Sequence, residues 1–441
     1  MLIQIAQFLL GLSLLIVIHE FGHFLPAKYF GIKVSKFYLF FDYKFSLLKK
    51  QIGETEWGIG WIPLGGYVKI EGMVDESMDT ENLSDEPEEW EFRAKPAWQR
   101  IIVLTGGVFM NFLTAYFIYV FLLMSYGKDY LPNDSLVNGV WTNEIGLEMG
   151  LENGDKILRI GDYTPESYSE TALEILLSQG EDVVVERDGR EVRIPIAVEF
   201  IEEMIKEKKF PGLIKPRMPY VVGSFAENSF GESLGLQVGD SIVGLNGQEM
   251  LFFDQYKSIL PDYAGEEVDL AYFRDGSLDT LTFTLPESGR LDVYNTTAVF
   301  KYYEIKNKKY SFASALSGAG NEVAAKLDGY IRQFKLIFNP KTEAYKEVGG
   351  FLTILQQYEK AWDWRHFWEF TAFLSIMLGF LNILPIPALD GGHVVFTVIE
   401  MITGKKPSIK VLEIAQMIGF FLLLALLIFA NGNDVMRALF G

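Results

Sequence analysis

The sequence predicts a polytopic α-helical membrane protein with four transmembrane helices and two soluble α+β domains on one side. Three observations carry this. Four apolar stretches approach or exceed the roughly 20 residues a span needs, and a glycine-punctuated stretch of alternating residues separates the second from the third. The 441-residue chain is also 49% hydrophobic and 15% aromatic, with a mean hydropathy of +0.15. A formal net charge of −19 without a basic stripe excludes a nucleic-acid partner, because phosphate neutralisation needs clustered Lys and Arg. There is no cysteine, so a transition metal must be held by carboxylates and by some of only four histidines.

The expected spans lie near residues 2–30, 99–126, 367–386 and 411–430. The first has no basic n-region and a weak cleavage site, so it reads as a helix of the mature protein over 1–30 and not as a signal peptide. Lys33, Lys36, Lys44, Lys49, Lys50, Arg93 and Lys95 lie in the loop 31–98, and Arg100 stands at the start of the second span at 99–126. Lys405, Lys406 and Lys410 lie within 394–441, between the last two spans. The positive-inside rule makes these loops cytoplasmic and puts residues 127–365 and both termini on the opposite side, the periplasm of a bacterium with the chain in its inner membrane.

Two halves of that large region repeat each other. "NEIGLEMGLENGDKILRIGDY" (143–163) and "AENSFGESLGLQVGDSIVGLNGQ" (226–248) share a Gly-Leu, a Gly-Asp, an alternating run and a glycine turn. Each continues into a hairpin pattern with an Arg-Asp-Gly turn, at 187–189 and 274–276. The halves, 127–215 and 216–298, resemble a tandem pair of PDZ domains, although the first has Gly161-Asp162 where that family has Asn-Gly. The resemblance implies peptide termini as ligands by strand addition; a plain spacer is the other reading. Residues 299–365 turn amphipathic and then aromatic, as for helices on the membrane surface, with His366 an interfacial anchor.

The first span contains "LLIVIHEFGHFLP" (14–26). A four-residue step on a helix puts His19 and His23 on one face, where both imidazoles can reach one zinc ion. Glu20 beside them can take a proton from a water that the metal acidifies. A chance His-Glu-x-x-His is common enough in soluble helices, but three ionisable groups inside a span cost about 2.5–3.5 kcal/mol each. A third ligand is available in "GFLNILPIPALDGGH" (379–393), part of the third span at 366–393. Pro385, Pro387, Gly391 and Gly392 break the helix there, and Asp390 is either the ligand or a helix cap. His393 reads as an outer hydrogen-bond partner.

His-Glu-x-x-His in the first span, with Asn382-x-x-Pro385-x-Pro387-x-Leu389-Asp390-Gly391 in the third, resembles the site-2 protease family of intramembrane zinc metalloproteases. The tandem insert is similar to that of its bacterial tandem-PDZ branch. The resemblance implies zinc on His19, His23 and Asp390, Glu20 as general base and acid, and Asn382 on the substrate backbone. It also implies that "WGIGWIPLGGYVKIEGM" (57–73) is a membrane-associated hairpin turning at Pro-Leu-Gly-Gly, with Gly58, Ile59, Gly60 and Trp61 pairing with substrate. Asn111, at the end of "GGVFMN", becomes a candidate for the same surroundings, although Gly107 stands where the family has proline, and "VGGF" (348–351) replaces a Gly-Pro step. The implied reaction is peptide hydrolysis within the span of single-pass proteins, of anti-sigma-factor or signal-peptide-remnant type, after their ectodomains are trimmed. A silent PDZ adaptor would be expected to lack Glu20 or Asp390, and a zinc transporter to spread ionisable residues over several depths. The acidic run 75–92 reads as a solvated loop.

Overall fold

The computed structural model describes residues 1–440 apart from 74–86, 179–180, 198–199, 201–211, 341 and 343. Most of the acidic run 75–92 therefore lies outside the described residues. The chain forms two compact units: Met1–Gly127 with Lys309–Lys335 and Tyr345–Gly441, and Lys128–Lys308 with Leu336–Ala344.

The first unit opens with helix α1 (Leu2–Tyr29), continuous because its one proline, Pro26, falls in the last turn. Strands β1 (Val34–Phe41), β2 (Leu48–Ile52), β3 (Thr55–Ile59) and β4 (Ile62–Ile70) follow, then helix α2 (Ala97–Ser125). A Cβ added at Gly22 would lie 2.3 Å from the Gly106 carbonyl oxygen, so α1 and α2 touch backbone to backbone at that point. Small residues permit such contact between apolar helices. The strand order is β2-β3-β1-β4, with β1 parallel to β3 and antiparallel to β4.

This corrects the hairpin expected over 57–73. Strands β3 and β4 are not neighbours, because β1 lies between them, and the hairpin is formed by β2 and β3 around Gly53. Pro63 to Gly66 run straight through β4 and make no turn. The glycines serve contact: a Cβ at Gly66 would lie 2.5 Å from the Ile16 side chain on α1.

The second unit holds the repeats. Its first copy comprises β5 (Lys128–Tyr130), β6 (Val140–Thr142), α3 (Glu144–Glu148), β7 (Lys156–Ile160), α4 (Tyr168–Leu177), β8 (Asp182–Arg187), β9 (Arg190–Pro195) and β10 (Ile214–Pro216). Its second comprises β11 (Val222–Phe225), α5 (Phe230–Ser233), β12 (Ser241–Leu245), β13 (Gln248–Glu249), α6 (Phe253–Ile259), β14 (Glu267–Arg274), β15 (Ser277–Thr284) and β16 (Val293–Asn295), and β17 (Lys306–Lys308) returns to pair with β5. The meanders β7-β8-β9 and β12-β14-β15 correspond, each with a helix between its first two strands. Separate apolar cores support them, one around Ile157, Ile175 and Val185, the other around Ile242, Tyr256 and Leu270.

The chain then runs through α7 (Phe312–Ile337), α8 (Phe351–Gln356), α9 (Trp364–Asn382), α10 (Asp390–Thr403) and α11 (Ile409–Phe440). Among the described residues three helices, α1, α2 and α11, are long and apolar enough to cross a membrane. The expected third span does not join them as one apolar rod. Helix α9 has 19 residues and carries Arg365 and Glu369 near its start, and α10 resumes only after the break at 383–389. Residues 394–403, expected as loop, continue α10 until Gly404 ends it in a left-handed conformation.

Candidate metal centre

His19 and His23 are one turn apart on α1, at 8% and 9% exposure. Their Nε2 atoms are 3.3 Å apart, and Asp390 Oδ2 at the start of α10 lies 3.3 Å from His19 Nε2 and 3.4 Å from His23 Nε2. Ligand atoms about 2.0–2.1 Å from a tetrahedral ion are separated by about 3.3–3.4 Å. The triangle therefore has the edges that a single zinc ion requires.

The hydrogen bonds behind the imidazoles make the same case. His23 Nδ1 donates to the Val103 carbonyl at 2.8 Å, which leaves its Nε2 with a lone pair. The Asn111 amide lies 3.0 Å from His19 Nδ1, and Asn111 Oδ1 has no partner among the described residues. With that oxygen turned to accept from Nδ1–H, His19 Nε2 also presents a lone pair. Asp390 Oδ2 is buried without a hydrogen-bond donor among the described residues. Three atoms that can each present a lone pair thus converge, an arrangement a divalent cation resolves.

Helix α2 forms the floor. A Cβ at Gly107 would sit 2.4 Å from His23 Nε2 and 2.6 Å from His19 Cε1. Any larger residue here would require the two imidazoles to shift from these positions.

Asp390 arrives through a tight reversal. Cβ atoms at Gly391 and Gly392 would lie 2.3 Å from the Ile383 and 2.4 Å from the Ile386 carbonyl oxygens, so the glycines let α10 start against the broken segment. Ala388 adopts φ +76, a strained conformation for a residue with a side chain. Leu389, not Asp390, occupies the N-cap position of α10. Asn382, the last residue of α9, places its amide 3.4 Å from His19 Nε2.

A cavity of about 460 Å³ opens onto this centre, bounded by Glu20, Asp390, His393, Gly66, Val68 and Gln416 among others. The histidines and Asp390 form the sole cluster of this type among the described residues, and His393 stays outside it. Strand β4 borders the cavity and is an outer strand of its sheet. Gly58 and Ile59, by contrast, sit in β3 with β1 paired on one side and β2 on the other. Gly60 packs on the Phe41 carbonyl, and the Trp61 ring stacks on Phe45 at 5.6 Å. Asn111 is fully buried behind His19 and does not line the cavity. Gln416 and Val103 carry no signal in the sequence, whereas Gly107 stands out there as a departure from the expected motif.

In the second unit the repeated Arg-Asp-Gly and Gly-Asp motifs meet. Arg187 binds both oxygens of Asp155 at 2.7 Å and the Gly150 carbonyl at 2.8 Å. Arg274 repeats this with Asp240, at 2.7 and 2.5 Å, and with the Gly235 carbonyl at 2.8 Å. Burial alone would push the Asp240 carboxyl up, but Arg274 and the Gln237 amide hold it below the usual carboxylate range. The same pairing raises the Arg274 guanidinium above its ordinary value.

A family model described as peptidase family M50 matches residues 7–426. Among curated relatives, the regulator of sigma E protease of Haemophilus influenzae is 27% identical, covering 98% of this chain and 99% of its own. The regulator of sigma-E protease RseP of Escherichia coli is 27% identical over 98% of each chain. A putative zinc metalloprotease of Clostridium perfringens is 27% identical over 97% of each.

Proposed function

The chain belongs to peptidase family M50 and is a zinc metalloendopeptidase of the site-2 type; from that premise we propose that His19, His23 and Asp390 hold its zinc and Glu20 moves the protons. The observation that carries this reading is the triangle of donor atoms, 3.3–3.4 Å on each edge, in a cavity shared with Glu20. When bound, zinc supplies Lewis-acid polarisation of the scissile carbonyl and of the attacking water. Glu20 takes the proton from that water and delivers it to the departing amine nitrogen, so one carboxylate serves as base and then acid. Val103 and Asn111 hold the two imidazoles in the orientation that presents Nε2.

The substrate is a single-pass membrane protein or a signal-peptide remnant. Its transmembrane helix protects each carbonyl by an internal hydrogen bond, so cleavage needs a locally unwound segment. The outer edge of β4 is suited to pair with such an extended segment, and Asn382 to donate its amide N–H to a substrate carbonyl beside the metal. Four spans, with α9 and the start of α10 forming a broken third, would place the basic loops in the cytoplasm and the repeats and termini in the periplasm. There the repeats, read as PDZ domains, would bind peptide termini or exclude untrimmed ectodomains. Deleting residues 128–290 should then admit an untrimmed substrate, and unchanged discrimination would remove the size filter.

The deciding experiment measures zinc content and cleavage of a model single-span substrate in detergent. Wild type should cut, Glu20→Gln should keep zinc without cutting, and Asp390→Asn should lose both. Normal cutting by Glu20→Gln would overturn the mechanism.

A further inference from the structure

Helix α11 presents almost all of its surface outward: Met417, Ile418 and Phe420 are 47%, 62% and 44% exposed. Its buried positions among the described residues are Gln416, Gly419 and Asp434. Two of the three have a visible structural task. Asp434 accepts the main-chain N–H groups of Gly350, Leu352 and Thr353 at the start of α8. Gly419 lets α11 press against the broken segment, where a Cβ would fall 1.7 Å from the Pro387 carbonyl oxygen.

Gln416 has no such task. It is 3% exposed, forms no hydrogen bond among the described residues, and lines the cavity beside Asp390 and His393. An amide with no protein partner on an otherwise apolar helix is left to find its hydrogen bonds in the cavity it faces. Gly419 is three residues on, hence on the same face of α11, and its contact with Pro387 fixes how deep Gln416 sits.

We infer that Gln416 binds the main chain of the unwound substrate, its amide N–H groups donating to a peptide carbonyl and its oxygen accepting a peptide N–H. A primary amide is the side chain that mirrors a peptide group, so this contact recognises extended backbone whatever the side chains. It lies on a different helix from Asn382 and in the cavity that Asp390 lines. The inference deepens the proposed protease reading and rests on it.

The test uses the full-length protein in detergent and a single-span substrate peptide, with the backbone amides around the cleavage site replaced one at a time by esters. Gln416→Leu and the similarly sized Gln416→Met should keep zinc and lose about tenfold in kcat/KM, the loss of one well-made hydrogen bond. In wild type one ester position should carry a penalty that disappears in both variants. Unchanged kcat/KM, or ester penalties that persist in the variants, would overturn the inference. So would loss of zinc in both variants, which would make Gln416 a structural residue. Failure of the protease reading itself shows separately, as a wild type that does not cut or a Glu20→Gln that does.

Discussion

Arg100 on α2 and Glu400 on α10, 300 residues apart in sequence, form a 2.5 Å ion pair whose side chains are 8% and 10% exposed. It fastens the helix that begins with Asp390 to the helix that supports both histidines. Taking away one partner of a buried pair strands the other charge, at about 3–5 kcal/mol, whereas replacing both with apolar residues is often neutral. Arg100→Met and Glu400→Leu should each lower the melting temperature in detergent and weaken zinc binding, and the double variant should recover most of both. A double variant as poor as the sum of the singles would show that the two residues act independently.

Asn111 is predicted to act through His19 and not on substrate, because it is fully buried and its amide meets Nδ1. Asn111→Leu should reduce zinc affinity by about 10–100-fold, the usual effect of losing an outer-shell partner. With zinc in excess, KM should stay near its wild-type value. A raised KM at full zinc occupancy would return Asn111 to the substrate site.

Gly107→Ala tests the floor of the site. Alanine is the better helix former, by about 0.8–1.0 kcal/mol, so propensity alone predicts a more stable protein. The added methyl would stand 2.4 Å from His23 Nε2, so the imidazole must move out of the donor triangle. Zinc content should fall while helix content, measured by circular dichroism, does not. Normal zinc content would mean the helices can separate by more than this packing suggests.

These cases also mark what the sequence made legible. His19, His23 and Asp390 stood out because a bilayer penalises ionisable residues and because their spacing or helix-breaking neighbours matched a ligand set. The break at 383–389 followed from Pro385 and Pro387. The order of the β-sheet did not follow: β1 inserts between β3 and β4, a long-range pairing that local alternation cannot encode, and the glycines of "PLGG" answer to α1 and not to a turn. Gln416 stayed hidden because one amide in an apolar helix has no pattern; only the fold brings it into the cavity that Asp390 lines.

The repeats offer a test with a pH sign. The Asp240 carboxyl is held below the usual carboxylate range by Arg274 despite its burial. A group whose folded pKa is depressed stabilises the fold above its unfolded pKa, and that contribution disappears as pH falls through the folded value. The second copy should therefore be most resistant to proteolysis near neutral pH and become sensitive below the usual carboxylate range. Arg274→Leu should make it more sensitive already at neutral pH, with a midpoint lower by on the order of a few degrees. Arg274→Lys should restore only part of the loss, since an ammonium cannot span both carboxylate oxygens and the Gly235 carbonyl as the planar guanidinium does. Wild-type resistance in Arg274→Leu would mean that the repeated Arg-Asp pair contributes nothing to the stability of this copy.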